Sequence, residues 1–243
     1  MRLPHLAAAA LLLSGPAAAQ EAALPAGFVH LADIAPAITQ DIRYAGADNF
    51  LGRPAQGYNG ASCILTEKAA RAVARVHERL SKQGLGLVVF DCYRPKTAVA
   101  DFVAWAGQDG PPDPRWHPAT RRGELIRHGY IASRSAHSRG STVDLAIVAR
   151  TGQTTPPPAC GAAAPGMLDF GTGFDCFDPA SRTASASVTA QARRHRRLLA
   201  EAMAQAGFRN YAGEWWHFTL RGEPHPKRAF DFPVTARRSA RAR

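Results

Sequence analysis

Near its C-terminus the chain reads Glu214-Trp215-Trp216-His217, and upstream His137 and Asp144 stand seven residues apart in Ser135-Ala136-His137-Ser138-Arg139-Gly140-Ser141-Thr142-Val143-Asp144. Two imidazoles, one carboxylate and a spare glutamate are the parts of a hydrolytic zinc site. In such a site three side chains hold the metal, water takes the fourth position, and an unliganded carboxylate moves the proton. The competing reading gives these histidines to packing or to the surface. A lone histidine beside tryptophans is more often packed than liganded, and single spacings discriminate poorly between the two.

For the site to form, the elements must aim these groups at one point. A turn at Ser138-Arg139-Gly140 followed by a strand from Ser141 to Val148 would bring His137 and Asp144 together. Glu214 and His217 are three apart, and in an extended stretch they would face opposite sides, so a bulge or turn at Gly213 is required. The pattern differs from the helical H-E-x-x-H arrangement, where both histidines share one helical face. The last strand is expected over Trp215 to Leu220, beside the strand that carries Asp144.

The rest of the chain supplies the scaffold. Phe28 to Tyr44 reads as a first strand. Thr66 can cap a helix whose apolar residues Ala69, Val73, Val76 and Leu80 follow a 3.6-residue period, with Gly84 closing it. Leu85 to Phe90 is a continuous buried strand ending in Asp91-Cys92-Tyr93-Arg94-Pro95, and Pro95 opens a second helix running through Trp105. Val188 to Ala206 is a long helix closed by Gly207. Residues 150–187 hold many Gly, Pro, Ala and Ser, too long for a structureless loop unless it is functional or stapled. No repeat and no dividing linker interrupt this α+β pattern, so one domain is expected.

The run Ser-x-His-Ser-Arg-Gly-Ser-x-x-Asp, followed by Glu-Trp-Trp-His-Phe, resembles the VanX-type D-alanyl-D-alanine dipeptidases of the M15 metallopeptidases. The resemblance extends to Asp41-Ile42-Arg43-Tyr44-Ala45 with Asp48-Asn49-Phe50, to Asp91-Cys92-Tyr93-Arg94-Pro95, and to Gly171-Thr172-Gly173-Phe174-Asp175. It implies a Hedgehog/D,D-peptidase-like fold, a small antiparallel sheet flanked by helices. It further implies that His137, Asp144 and His217 ligate one Zn2+ and that Glu214 is the general base. Arg94 would stabilise the oxyanion, Asp175 would hold the substrate's free ammonium, and Tyr44 and Ser135 would line the pocket. Each of the last four has an alternative. Arg94 could be a salt-bridge partner at a helix start, Asp169 could replace Asp175, and Tyr44 and Ser135 could simply bond or pack. The implied substrate is a small D,D-dipeptide. A murein D,D-carboxypeptidase or endopeptidase with a more open cleft is the alternative enzyme, and a non-catalytic zinc-containing wall-binding module the alternative of another class.

Residues 1–19 read as a signal peptide: Arg2, an apolar core from Leu6 to Leu13, and Ala17-Ala18-Ala19 before the cut. No later segment approaches the roughly 18 apolar residues of a membrane span. The expected location is the periplasm or beyond, which points to wall turnover or nutrient scavenging rather than to protection of a cytosolic precursor pool. Four cysteines in an exported chain suggest disulfides. Cys160 with Cys176 would staple the long loop, leaving Cys63 with Cys92, although four cysteines allow three pairings. About 220 residues remain for the domain, expected over 20–233, with a basic disordered tail over 234–243. The formal charge of +11 lies largely in that tail and in Arg193, Arg194, Arg196 and Arg197, expected as a solvated helix face. No basic stripe interleaved with aromatics marks a nucleic-acid site. The segment around Pro156–Pro165 reads as an insertion, and nothing specifies an oligomeric state.

Overall fold

Leu85 to Phe90 carries no charge, and this apolar run becomes the middle of a sheet. A computed structural model describes residues 23–150 and 157–237. Strand β1 (Phe28–His30) pairs with β3 (Ile64–Thr66) in a small two-stranded sheet. The main sheet joins β2 (Thr39–Gln40), β4 (Leu85–Asp91), β5 (Thr142–Ala149), β6 (Phe208–Asn210) and β7 (His217–Leu220) in the order β2-β4-β5-β7-β6. All its pairings are antiparallel except β2 with β4, so the sheet is mixed rather than wholly antiparallel. Among the described residues four α-helices flank the sheets: α1 (Leu31–Ile34), α2 (Glu67–Ser81), α3 (Lys96–Ala106) and α4 (Ala190–Gln205). Helix α2 packs on β4 through the predicted stripe of Ala69, Val73, Val76 and Leu80, all buried. Helix α4 covers β5 and β6.

Register is what positions the chemistry. Asp91 on β4 faces Asp144 on β5, and Asp144 faces His217 on β7. Directly opposed residues share a face of the sheet, so these three form one row. Arg94 follows the end of β4, His137 precedes β5, and Glu214 precedes β7. Three strand ends therefore deliver the three implied ligands, Arg94 and Glu214 to one place.

Several expectations need correction. Phe28 to Tyr44 is not one strand but β1, α1, β2 and a 3-10 turn over Arg43–Ala45. Pro36 has no N–H for a ladder and disfavours helix at the residue before it, so neither element continues through it. The last strand begins at His217, because Trp215 and Trp216 are taken up by a turn in which His217 N–H meets the Glu214 carbonyl at 3.4 Å. Pro95 is the N-cap of α3, not its first helical residue. Thr66 sits at the N-cap of α2, yet its hydroxyl bonds Ser141 Oγ at 2.7 Å instead of capping. Arg196 is 1% exposed, so the arginine cluster on α4 is not a purely solvated face. Finally, Val234 is 1% exposed and its backbone pairs with Gly57 and Asn59. The packed domain thus runs past 233, to Arg237 at least, where the guanidinium meets Asp33.

Two disulfides join Cys63 to Cys92 and Cys160 to Cys176. The second ties the glycine-rich loop, whose Phe170, Phe174 and Phe177 are buried. The expected signal peptide and the last residues of the tail lie outside the described residues. Among those described, no helix is long and apolar enough to cross a membrane.

Candidate active site

His137 lies in a 3-10 turn over Ala136–Arg139. Ser135 Oγ accepts the His137 N–H at 3.2 Å, which starts the turn, and Gly140 ends it at φ 78°. A Cβ on Gly140 would stand 2.2 Å from the Phe28 ring, so this position requires glycine for space as well as for φ. His137 Nδ1 lies 2.7 Å from the Cys92 carbonyl oxygen. A carbonyl can only accept, so Nδ1 carries the proton and Nε2 presents its lone pair.

That lone pair meets two other donors. His137 Nε2 is 3.2 Å from Asp144 Oδ2 and 3.2 Å from His217 Nδ1. His217 Nδ1 is 3.1 Å from Asp144 Oδ1, and that buried oxygen has no hydrogen-bond partner. The three candidate ligand atoms lie within 4.8 Å of one another. An orphaned carboxylate oxygen and a correctly oriented imidazole lone pair fit a metal ion with nitrogen and oxygen ligands. The residues present therefore suit zinc.

Burial pushes the Asp144 carboxyl up, but the His137 and His217 imidazoles close against it outweigh that and hold Asp144 well below the usual carboxylate range. Glu214 has less to oppose its burial. Its Oε2 is 3.5 Å from His217 Nδ1, and desolvation, with Asp144 adding to it, raises its pKa to about 7. A carboxyl of that pKa can both take and return a proton near neutral pH.

Arg94 does pair with an acid. Its Nε and Nη2 contact Asp91 Oδ2 at 2.9 and 2.8 Å, and Nη2 reaches within 3.7 Å of Asp144. Its guanidinium also lies 5.1 Å from the Tyr44 ring centre and 5.0 Å from that of Phe102. Asp91 is the residue that sequence reasoning passed over. Fully buried, it accepts from Arg94 and from the Tyr58 hydroxyl at 2.6 Å, so it fixes the arginine in the site. The signal was present in Asp91-x-x-Arg94, three residues apart across the end of β4.

A cavity of about 300 Å³ opens over these groups, lined by Tyr44, Arg94, Ser135, Asp175, Glu214 and His217 among others. Its volume is at the low end for small-molecule sites. Asp175 is 5% exposed and sits at φ 57°, a left-handed conformation uncommon outside glycine that aspartate tolerates better than most residues. Its Oδ2 accepts the Tyr44 hydroxyl at 2.7 Å. Burial raises the Asp175 carboxyl well above its ordinary value, with Asp144 contributing. Asp169 is elsewhere: its Oδ1 accepts the Gly171 N–H at 2.7 Å in a local turn, and it does not line the cavity. The structure thus brings His137, Asp144, His217, Glu214, Arg94, Asp175, Tyr44 and Ser135 to one cavity and leaves Asp169 out.

Glu214 stands outside the three-donor cluster and faces the same cavity, an arrangement suited to hydrolytic chemistry. The chain belongs to the M15 peptidases, since the family described as D-ala-D-ala dipeptidase matches residues 25–235. Several relatives bear the name D-alanyl-D-alanine dipeptidase. The one from Streptomyces coelicolor is 38% identical over 85% of this chain and 98% of its own length. That from Enterococcus faecium is 37% identical over 86% and 98%, and that from Escherichia coli 33% identical over 79% and 83%.

Proposed function

We propose that this chain is a zinc-dependent dipeptidase that hydrolyses D-alanyl-D-alanine, or a closely related D,D-dipeptide, to free amino acids. The names of its relatives support the substrate. The observation that carries the reading is Asp175, a buried carboxylate in the same small cavity as the donor cluster. A buried charge needs a partner, and a free substrate ammonium supplies one. An N-blocked or longer acyl chain has no cation to offer there.

His137, Asp144 and His217 would hold one Zn2+. When bound, zinc acidifies water and polarises the scissile carbonyl. Glu214 takes the proton of the attacking water and delivers it to the leaving amine. Arg94, held by Asp91, faces the negative charge that develops as the carbonyl carbon becomes tetrahedral. Asp175 and Tyr44 receive the amino terminus, and Ser135 shapes the wall while fixing the turn of His137. We further propose that the protein is exported, most simply to the periplasm, where its two disulfides would persist.

The test is to incubate the purified chain with D-Ala-D-Ala, N-acetyl-D-Ala-D-Ala and a muropeptide, with and without chelator. Chelator-sensitive release of alanine from the free dipeptide alone is the expected result. Comparable release from the blocked substrate or the muropeptide would replace the dipeptidase by a carboxypeptidase. Release that survives metal removal would overturn the zinc assignment.

A further inference from the structure

The pattern of α4 predicts an outward arginine cluster, and Arg194 and Arg197 are exposed. Arg196 points inward. Its Nε and Nη2 donate to the Phe170 carbonyl at 2.8 and 2.5 Å, and its Nη1 donates to the carbonyls of Ala180 at 2.8 Å and Arg182 at 2.7 Å. Nη2 also reaches Thr172 Oγ1 at 3.5 Å. Among the described residues, no carboxylate pairs with it. A buried cation whose direct partners are all neutral dipoles, with the charge of Asp169 acting only from further off, is a costly way to pack a helix, where an aliphatic residue would serve. What the charge achieves is the collection of several carbonyls at one point.

Those carbonyls flank Asp175: Phe170 lies five residues before it and Ala180 five after. Both ends of the loop are therefore fastened to α4 through one guanidinium. The same clamp reaches the turn that carries Glu214. Thr172 Oγ1 accepts the Trp215 indole N–H at 2.9 Å, and the Ser181 carbonyl accepts the Trp215 backbone N–H at 3.1 Å. The Phe170 ring stacks on Trp215 at 4.1 Å. Ser181 Oγ donates to the Cys176 carbonyl at 2.7 Å, next to Asp175 itself.

We propose that Arg196 is a positioning residue that fixes the separation between the Asp175 loop and the Glu214–His217 turn, and so sets the length of substrate that fits between them. The inference rests on the dipeptidase reading above for its substrate. Arg196 lies outside both the cavity lining and the donor cluster; it acts by holding two segments that belong to them.

Arg196→Met and Arg196→Lys, made in the full chain and loaded with zinc, test it by two readouts. For D-Ala-D-Ala, Arg196→Met should raise KM about tenfold or more, with a smaller fall in kcat per zinc-loaded site, and Arg196→Lys should lie between it and wild type. A role confined to stability would reduce the active fraction and leave KM unchanged, and that result would overturn the proposal. Hydrogen exchange supplies the second readout and needs no substrate. Faster exchange is expected over 170–182 and 214–217 together, whereas faster exchange confined to α4 would reject the coupling. If Arg196→Met does not fold, the lysine variant carries both measurements. Should the wild-type chain fail to hydrolyse D-Ala-D-Ala, the dipeptidase reading falls by itself and exchange still decides the role of Arg196.

Discussion

Three carboxyls in one cavity are driven in different directions by their surroundings. Asp144 has two imidazoles against it and stays ionised, as a ligand must. Glu214 and Asp175 are raised chiefly by desolvation. Since Glu214 lies outside the donor cluster, Glu214→Ala should retain zinc while losing about 10²–10⁴ in rate, the usual worth of a general base. Metal analysis beside kinetics checks this, and loss of zinc would move Glu214 among the ligands. Asp175 gives a prediction in stability. Its folded pKa lies above its unfolded value of about 3.9, so the folded chain holds the proton more tightly. Its contribution is full below the unfolded pKa and is lost as pH rises through the folded one. Asp175→Asn keeps an acceptor for Tyr44 and removes the charge. The variant should therefore melt higher than wild type at pH 7, with the gain shrinking toward pH 4, while losing most turnover of the free dipeptide. Equal melting of the two proteins at pH 7 would contradict the burial argument, and Asp169→Asn is the control.

At the scale of elements, the site depends on short turns at strand ends more than on the strands. β4, β5 and β7 supply the row Asp91, Asp144 and His217, but His137 and Glu214 stand in turns outside any strand. Gly140 is the tightest of these positions. The Phe28 ring that a Cβ would strike is itself enclosed by Tyr93, Phe230 and Phe232. It cannot yield cheaply. Gly140→Ala should destabilise the chain by about 1–3 kcal/mol from conformational strain and overpacking. It should also weaken zinc retention, because the 3-10 turn aims His137. Denaturant unfolding and metal competition with a chelator measure the two effects. A loss of stability with unchanged zinc affinity would show that the turn's end does not set the ligand.

For the whole molecule, the metal site joins segments far apart in the chain. His137 and Asp144 belong to the middle, His217 to the last strand, and Cys92, whose carbonyl orients His137, is disulfide-linked to Cys63 before α2. An ion that binds the folded chain and not the unfolded one stabilises it by about 2.7 kcal/mol at a hundredfold excess over Kd. Chelator should therefore lower the melting temperature, and added zinc should restore it. Glu214→Ala should keep this response and His217→Ala should lose it. A melting temperature indifferent to metal in the wild-type chain would argue against a zinc ligand set spanning these segments.

Much of this was legible in the residues. Apolar runs placed β4, β5, α2 and α4 within a few positions, because burial against a sheet imposes periods of 2 and 3.6 on any chain. The ordered motifs named eight residues that the fold brings to one cavity, and the expected cysteine pairing, one of three the chain allows, is the one the fold makes. What the residues could not reveal depends on contacts between distant segments. The resemblance favours Asp175 over Asp169, but loop composition does not separate them until folding places one beside Tyr44 and turns the other into a local cap. Asp91 gains its role only when the register of β4 sets it against Arg94 and Tyr58. Arg196 looks like its solvated neighbours because a helical pattern records which face is apolar, not which backbone carbonyls another loop will present to it. Local sequence fixes propensity and periodicity; partners across the fold decide which charges are buried and what they hold.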